Sequence, residues 1–297
     1  MLDLDALVKQ ANSLQPLPAS AAKLATLIAG PDPDMQAVVG VVEHDPAFAA
    51  ALLRRANSAA AGANRTISTV REAVTRLGAS AVLTVVTALS ARKTVDRAIP
   101  EYGLAEGELW AHSRATAIAA DLIGRMARVR PPPETSTTAL LHDIGKLVLA
   151  RFLDEDTRRF LDAAFAQTLS YRKAEREVLG VTQAELGGIL ADRWSLPHSI
   201  VQGIVYCHAP FEYAETLAAD DKVLVICHAV HLANFLAKCV GSEFDQNSDS
   251  RIKIERTSGA VTFDETVLDA MKHLAIAPSG FSTLVTQLRA ALAAGAE

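Results

Sequence analysis

Apolar residues recur at helical spacing along most of this chain. Leu24, Leu27 and Ile28 repeat at intervals of one to three residues, and Val70 and Val74 open a similar series further on. A period near 3.6 residues places such positions on one face of a helix. Aromatic residues are scarce and alanine is abundant, which also favours helix packing over sheet. The pattern therefore predicts an all-α fold.

Prolines and short polar residues mark the ends of the predicted helices. Pro46 suits a helix start, where its missing N–H costs nothing. Asp34, Asp45 and Thr69 are typical capping residues. Gly78 predicts a break in the helix after Thr69. Further helices are predicted over residues 108–128, from the caps at 135–138 through Leu149, and over 155–168, 171–179, 182–193, 198–207, 214–239, 264–274 and 280–294.

A short connector divides the predicted elements into two groups. Residues 97–107 contain Pro100, Gly103 and several acids, a composition typical of a loop. We therefore expect an N-terminal helical subdomain over residues 1–100, packed on a larger helical bundle over residues 101–297. The alternating stretch at residues 251–255 could form a short extended piece.

The composition gives expectations about core size and cellular location. Its 297 residues are 50% hydrophobic and 21% charged, enough for a sizeable core. The first residues are acidic and do not resemble a secretory signal. The longest uncharged apolar run, residues 79–91, is shorter than the roughly 20 residues a membrane span needs. Three unevenly spaced cysteines indicate a reducing compartment. We expect a cytoplasmic protein that does not bind membranes.

The charge distribution argues against generic nucleic-acid binding. Residues 1–100 carry 10 Lys and Arg against 8 Asp and Glu, and the remaining residues carry 19 against 26. The net charges of the two parts are thus +2 and −7. Neither has the dense basic stripe that binding a run of phosphates requires.

The sharpest chemical signal is the pair His142-Asp143 inside an apolar helical stretch. Each side chain must desolvate a polar group there, which is costly. A divalent metal would compensate, because imidazole nitrogen and carboxylate oxygen are natural ligands. His112, thirty residues earlier on the long amphipathic helix, could join them. A core histidine bonded to a backbone carbonyl stays the alternative for each ring.

These residues resemble a known family. His112 followed by His142-Asp143 in ALLHDIGKL is similar to the HD-domain metal phosphohydrolases. LQPLPASAAKLATLIAGPD, VVEHDPAFAAALLRRANSAAAG and ISTVREAVTRLG resemble the N-terminal helical region of the HDOD subfamily. AELGGILADRWSLPHSIVQGIVYCHAP and HLANFLAKCVG continue the likeness, which covers roughly residues 14–240. The resemblance implies an HD-like helical bundle in the second part of the chain.

The resemblance also implies an incomplete metal site. Catalytic relatives hold metals with residues matching His112, His142 and Asp143 and with a downstream aspartate, where this chain has Asn234. A second metal would need a histidine in place of Gln183, and a His-His pair where Cys207-His208 stands. The GYP motif of cyclic-di-GMP hydrolases is absent after Lys146. We expect no cofactor, although three ligands and water can hold a divalent metal weakly.

The leading functional hypothesis is bacterial signal transduction through a degenerate site. The cleft would bind a signalling protein in trans or a nucleotide-like ligand, and the resemblance implies links to cyclic-di-GMP networks. Its expected residues are His112, His142, Asp143, Lys146 and His208. The alternative is a metal-dependent phosphodiesterase acting on a cyclic dinucleotide or nucleotide, with Asp143 and Lys146 in catalysis. An additional acid in the cleft would favour that alternative, the candidates being Asp121, Glu185 and Asp192. A third hypothesis, an adaptor without ligand, predicts a cleft plugged by apolar side chains.

Other polar clusters have a structural explanation that we favour. Cys227 and His231, four residues apart, share a helix face, and so do His228 and His231, three apart. Together with Asn234 they could form a small metal or redox site, but apolar neighbours favour a buried helix. Cys207 beside His208 could be an activated thiol, but no orienting group is identifiable. The segment at residues 54–58 could bind an anion or cap a turn.

Overall fold

The first described helices form a small group in which three of the four starts are capped by a side chain. The computed structural model describes residues 17–30, 32–58, 66–168, 171–216, 220–241 and 263–294. Asp34 and Asp45 cap their helices with side-chain oxygens that accept two backbone N–H groups each. Thr69 caps the next helix, and Gly78 kinks it with a φ of 77°. These local predictions are confirmed. The helices are α1 (Ala19–Ala29), α2 (Met35–Glu43), α3 (Pro46–Asn57) and α4 (Val70–Val95).

The rest of the described chain forms a helical bundle around two long central helices. The bundle helices are α5 (Glu108–Met126), α6 (Thr135–Leu141), α7 (Lys146–Leu149), α8 (Glu155–Thr168), α9 (Tyr171–Leu179), α10 (Gln183–Arg193), α11 (His198–Tyr206), α12 (Pro210–Ala214), α13 (Asp221–Val240), α14 (Glu265–His273) and α15 (Phe281–Ala294). Helices α5 and α13 pack against each other and against α6. Among the described residues, 3₁₀ turns also occur at Pro100–Tyr102, Ala150–Phe152 and Pro278–Gly280. The described residues contain one isolated antiparallel bridge, between Ile99 and Leu104, and no longer strand. The all-α prediction is confirmed.

Two apolar clusters make up most of the buried core. The first joins α1–α4 to the start of the bundle and reaches Ile204 on α11. The second lies between α5, α13, α14 and α15 and includes Phe235 and Phe281. Because the first cluster contains residues from both sides of the connector, the early helices and the bundle bury their apolar faces together. The boundary at residue 100 stays a prediction.

The helix predicted through Leu149 is wrong, because the structure divides it in two. Helix α6 ends at Leu141, and residues 142–145 form a turn with hydrogen bonds between residues three apart, such as Lys146 N to the Asp143 carbonyl at 3.1 Å. Gly145 lets this turn lie directly on α10, since a Cβ there would meet the Gln183 carbonyl oxygen at 1.8 Å. The turn therefore depends on tertiary packing.

One other predicted boundary also changes. The helix predicted over residues 214–239 is wrong at its start, because α12 ends at Ala214 and Asp220 caps a separate helix, α13. The extended piece expected at 251–255 lies outside the described residues.

By length and composition alone, α4 and α13 could each cross a membrane, but 72% of the apolar window of α13 is buried within the fold.

Candidate functional site

The described fold brings all five predicted site residues together. His112 projects from α5, and the turn between α6 and α7 carries His142 and Asp143. Lys146 is the first residue of α7, and His208 follows α11. Two positions singled out for departing from the catalytic pattern lie beside them, Gln183 on α10 and Asn234 on α13.

Asp143 is the centre of the cluster. Its side chain is 3% exposed, and its Oδ2 lies 2.8 Å from Lys146 Nζ, 3.4 Å from His142 Nε2 and 3.8 Å from His112 Nε2. Its Oδ1 accepts from Gln183 Nε2 at 3.0 Å and lies 3.2 Å from His208 Nε2. A buried carboxylate is tolerated only when charge and hydrogen bonds compensate its lost hydration. The Lys146 ammonium supplies the charge.

One ring nitrogen of His142, Nε2, has no hydrogen-bond partner in this cluster. Its ring is fully buried, and its Nδ1 lies 2.8 Å from the Ala139 carbonyl oxygen. A carbonyl can only accept, so Nδ1 donates and Nε2 of the neutral ring carries a lone pair. That Nε2 has no hydrogen-bond partner. The Nε2 lone pair of His142 therefore lies beside the Asp143 carboxylate, another acceptor, with no donor hydrogen between them.

Two side-chain amides bind the remaining histidines. His112 Nε2 lies 3.1 Å from Asn234 Oδ1, so it donates to that amide oxygen. Asn234 Nδ2 faces His208 Nδ1 at 3.5 Å, and Gln183 Nε2 lies 3.0 Å from His208 Nε2. The amides of Asn234 and Gln183 are thus both engaged in contacts within the cluster.

The electrostatics favour an ionised Asp143 among neutral imidazoles. Burial lowers the pKa of His112 and of His142, and it lowers the pKa of His208 to about 4. Burial by itself would raise the pKa of Asp143, but His142, Lys146 and His208 together hold it well below its usual value. Of these three, Lys146 is the neighbour that stays charged at neutral pH. The ion pair of Asp143 and Lys146 is therefore the stable charge state of the site.

The donor set is a poor fit for a resident divalent metal. His112, His142 and Asp143 offer ligand atoms within 4.8 Å of one another, and the unpartnered Nε2 of His142 is one of them. However, Asp143 is the one carboxylate of this group, and Lys146 already neutralises it. Asn234 is neutral and already accepts from His112. A dication would meet an ammonium on the one carboxylate of the group, so these three residues do not fit a tightly held metal.

Several residues of the cleft had not been expected from the sequence. A cavity of about 60 Å³ beside Asp143 is lined by Tyr102, Arg172, Glu175 and Lys238 as well as by predicted residues. The Tyr102 hydroxyl donates to Glu175 at 3.2 Å, and its ring lies 5.7 Å from Lys146 Nζ. Pattern alone gives no signal for Tyr102, which comes from the connector. The one hint in the sequence was Glu175 on the strongly amphipathic α9, which the structure shows to be buried.

The acids suggested as replacement ligands lie elsewhere. Asp121 accepts a hydrogen bond from Ser136, and burial raises its pKa. Glu185 pairs with Arg176 at 2.7 Å and completes the cap of α10. Asp192 lines an open groove between α10 and α11. None of these three lines the cavity beside Asp143.

The remaining candidate clusters have local hydrogen-bonding or packing roles. His231 lies 3.0 Å from both the Cys207 carbonyl oxygen and the Thr266 hydroxyl. His228 stacks on His273 with centroids 4.2 Å apart. Cys227 is fully buried, and burial raises its pKa to about 12. These contacts agree with the structural explanation given to these clusters.

The end of α3 and Cys207 show the same kind of role. Asn57 makes two hydrogen bonds of 2.7 Å with the backbone of Ile67. Ser58 donates to the Arg55 carbonyl at 2.8 Å. Cys207 is buried, and burial raises the pKa of its thiol well above the usual value, which opposes thiolate chemistry.

An all-helical fold with His112, His142 and Asp143 in one cleft defines an HD-like protein. The HDOD domain matches residues 14–210, about two thirds of the sequence, and the chain belongs to this family. An uncharacterised protein of Treponema pallidum (strain Nichols) is 24% identical over 205 residues, which are 66% of this chain. The match covers 39% of that relative, so this chain spans about two fifths of its length.

Solved structures share the fold over nearly the whole chain. A candidate phosphohydrolase from Shewanella amazonensis SB2B is 25% identical, with a TM-score of 0.61, covering 96% of this chain and 93% of its own. A candidate signal transduction protein from Marinobacter aquaeolei VT8 is 20% identical, with a TM-score of 0.66, covering 98% of this chain and 63% of its own. The latter similarity shows the fold alone.

Proposed function

We propose that this chain is a regulatory HDOD protein whose cleft binds a ligand and does not hydrolyse phosphodiesters. The binding surface comprises His112, His142, Asp143, Lys146 and His208. A nucleotide-like molecule or a signalling protein acting in trans would occupy it. We further propose a cytoplasmic location and a place in a cyclic-di-GMP network, as expected for bacterial relatives of this kind.

One observation carries this proposal: the ammonium of Lys146 lies 2.8 Å from Asp143 Oδ2. In a metal enzyme that oxygen would coordinate a dication, which would activate water and stabilise developing charge. An internal ammonium satisfies the carboxylate but provides no coordination position for water. The cleft is thus organised to hold its charges in place without a metal.

The polar lining of the cleft favours ligand binding over an adaptor role. An adaptor without ligand predicts a cleft plugged by apolar side chains. The cavity beside Asp143 is open, and its lining combines apolar residues such as Leu104 with charged and hydroxyl groups, including Lys238, Glu175 and Thr182. Convergent polar groups in a concave site are typical of small-molecule recognition.

A hydrolysis assay tests the proposal. The purified chain would be incubated with bis(p-nitrophenyl) phosphate and with cyclic-di-GMP, in the presence of Mn²⁺ or Fe²⁺. An Asp143→Ala variant is the matched control, because it removes the one carboxylate of the candidate ligand set. We expect the wild type to show no turnover above this control. Turnover that Asp143→Ala abolishes would contradict the proposal.

The second candidate function is a phosphodiesterase that takes a metal weakly from solution. The observation favouring it is the unpartnered Nε2 of His142, within 4.8 Å of the ligand atoms of His112 and Asp143. For that activity, the Lys146 side chain would have to leave Asp143. The same assay separates the two functions.

A further inference from the structure

Arg172 lies at the junction of two cavities in the cleft. One is the cavity of about 60 Å³ beside Asp143, and the other, of about 260 Å³, extends toward α13 and α14. Arg172, His208 and Lys238 line both. The Arg172 side chain is 15% exposed and pairs with Glu212, whose side chain is 37% exposed. Any molecule that extends from one cavity into the other must pass this ion pair.

The pairing leaves part of the guanidinium unused. Both terminal nitrogens of Arg172 donate to Glu212, one to each carboxylate oxygen. Its Nε is buried and has no hydrogen-bond partner. A buried N–H without an acceptor is unfavourable. Arginine recognises phosphate through the same planar fork, and a tetrahedral phosphate has more acceptor oxygens than a carboxylate.

The net charge of the larger cavity also favours the binding of a phosphate. Its lining includes the cations Arg172, Lys173 and Lys238 and the carboxylates Glu212 and Asp264, which gives a net charge of +1 with neutral histidines. If Glu212 turned away, the net charge would become +2. A phosphate monoester carries about −1.5 to −2 at neutral pH. Releasing Glu212 therefore matches the cavity to a dianion.

Glu212 lies on a short helix at the edge of the larger cavity. Helix α12 has five residues and is short compared with the helices around it. The neighbouring Phe211 is 49% exposed and lines the same cavity, giving a planar apolar surface for the organic part of a ligand. The site thus combines an arginine, a competing carboxylate and an aromatic face.

We propose that Arg172 is the anion receptor of the cleft and that Glu212 occupies it until a phosphate-bearing ligand, such as a nucleotide, displaces the carboxylate. Glu212 then acts as an internal competitor that lowers the affinity of the resting protein. This inference rests on the proposed role of the cleft in binding and names the chemical class of its ligand.

The test is calorimetric titration of the full chain with inorganic phosphate at constant ionic strength. Glu212→Gln removes the competing charge but keeps the side-chain shape. Glu215→Gln is the matched control, because it removes an exposed carboxylate three residues away that does not line the cavity. If the pair is closed about nine-tenths of the time, releasing it raises the apparent affinity about tenfold. We expect that gain in Glu212→Gln and no gain in Glu215→Gln.

Two further variants show whether the gain passes through Arg172. Adding Arg172→Gln to Glu212→Gln should abolish it, and adding Arg172→Lys, which keeps the charge but loses the fork, should remove most of it. Equal affinity in Glu212→Gln and Glu215→Gln, no measurable binding by Glu212→Gln, or a gain that survives Arg172→Gln would each overturn the inference. Hydrolysis is a separate readout, so turnover would refute the proposed function without deciding the role of Glu212.

Discussion

Glu134 is a fully buried carboxylate that forms an ion pair with Lys222. Its Oε1 accepts from Lys222 Nζ at 2.8 Å and from the Ser199 hydroxyl at 2.7 Å, while Oε2 has no partner. The same ammonium donates to the Ala29 carbonyl at 2.9 Å, at the end of α1. Replacing Lys222 by Met leaves the carboxylate without a counter-charge and the end of α1 without its donor.

The size of the effect follows from burial. Breaking a buried ion pair from one side costs about 3–5 kcal/mol, because the remaining charge stays desolvated. The Lys222 side chain is 36% exposed, so water can partly replace it. We therefore expect Lys222→Met to lower the free energy of unfolding by about 2–3 kcal/mol, somewhat less than the loss of a fully buried partner would cost. Adding Glu134→Gln removes the stranded charge and should restore most of the loss.

Urea unfolding followed by circular dichroism measures both variants. A lower midpoint with an unchanged slope would indicate lost stability without a change in the denatured state. If Lys222→Met unfolds within about 0.5 kcal/mol of the wild type, as an ordinary surface substitution does, the reasoning is refuted. It also fails if the double variant is no more stable than Lys222→Met.

Two other predictions concern packing and pH. Gly145→Ala should lower the free energy of unfolding by more than about 4 kcal/mol or prevent folding, because its Cβ would meet backbone atoms of Gln183. Gly40→Ala is the control and should be neutral or stabilising, because a Cβ there meets nothing within 4 Å. Chemical denaturation of the two variants side by side checks this. Burial lowers the pKa of His228 to about 4 from 6.5, and His273 beside it adds to the shift. The unfolded chain then binds a proton that the folded chain does not, so stability should fall as pH drops from 6.5 to 4, by about 2–3 kcal/mol. A His228→Gln variant should show a smaller fall over that range, and an equal fall would contradict the assignment.

Local signals in the sequence predicted much of the fold because their causes are local. The capping aspartates Asp34 and Asp45, and the kink at Gly78, depend on residues within one helical turn. The break after Leu141 could not be predicted this way. It arises where Gly145 meets the carbonyl of Gln183, a contact between distant parts of the chain.

The candidate site was predictable only as far as family motifs reach. His112 and Asn234 are 122 residues apart in sequence, and their hydrogen bond exists only in the folded chain. The ion pair of Arg172 and Glu212 joins two amphipathic segments of the folded chain. In the sequence, each of the two looks like an ordinary charged residue on the solvent side of a helix. Tyr102 enters the cleft from a connector whose composition indicated only a loop.

The central claim is that the Lys146 ammonium, and not a metal, balances Asp143. Equilibrium binding of Mn²⁺, followed by electron paramagnetic resonance, tests it most directly in the wild type, Lys146→Met and Asp143→Asn. We predict no stoichiometric binding at micromolar Mn²⁺ by the wild type, and tighter binding by Lys146→Met because its carboxylate loses the competing cation. One tightly bound Mn²⁺ per wild-type chain, lost in Asp143→Asn, would contradict the account.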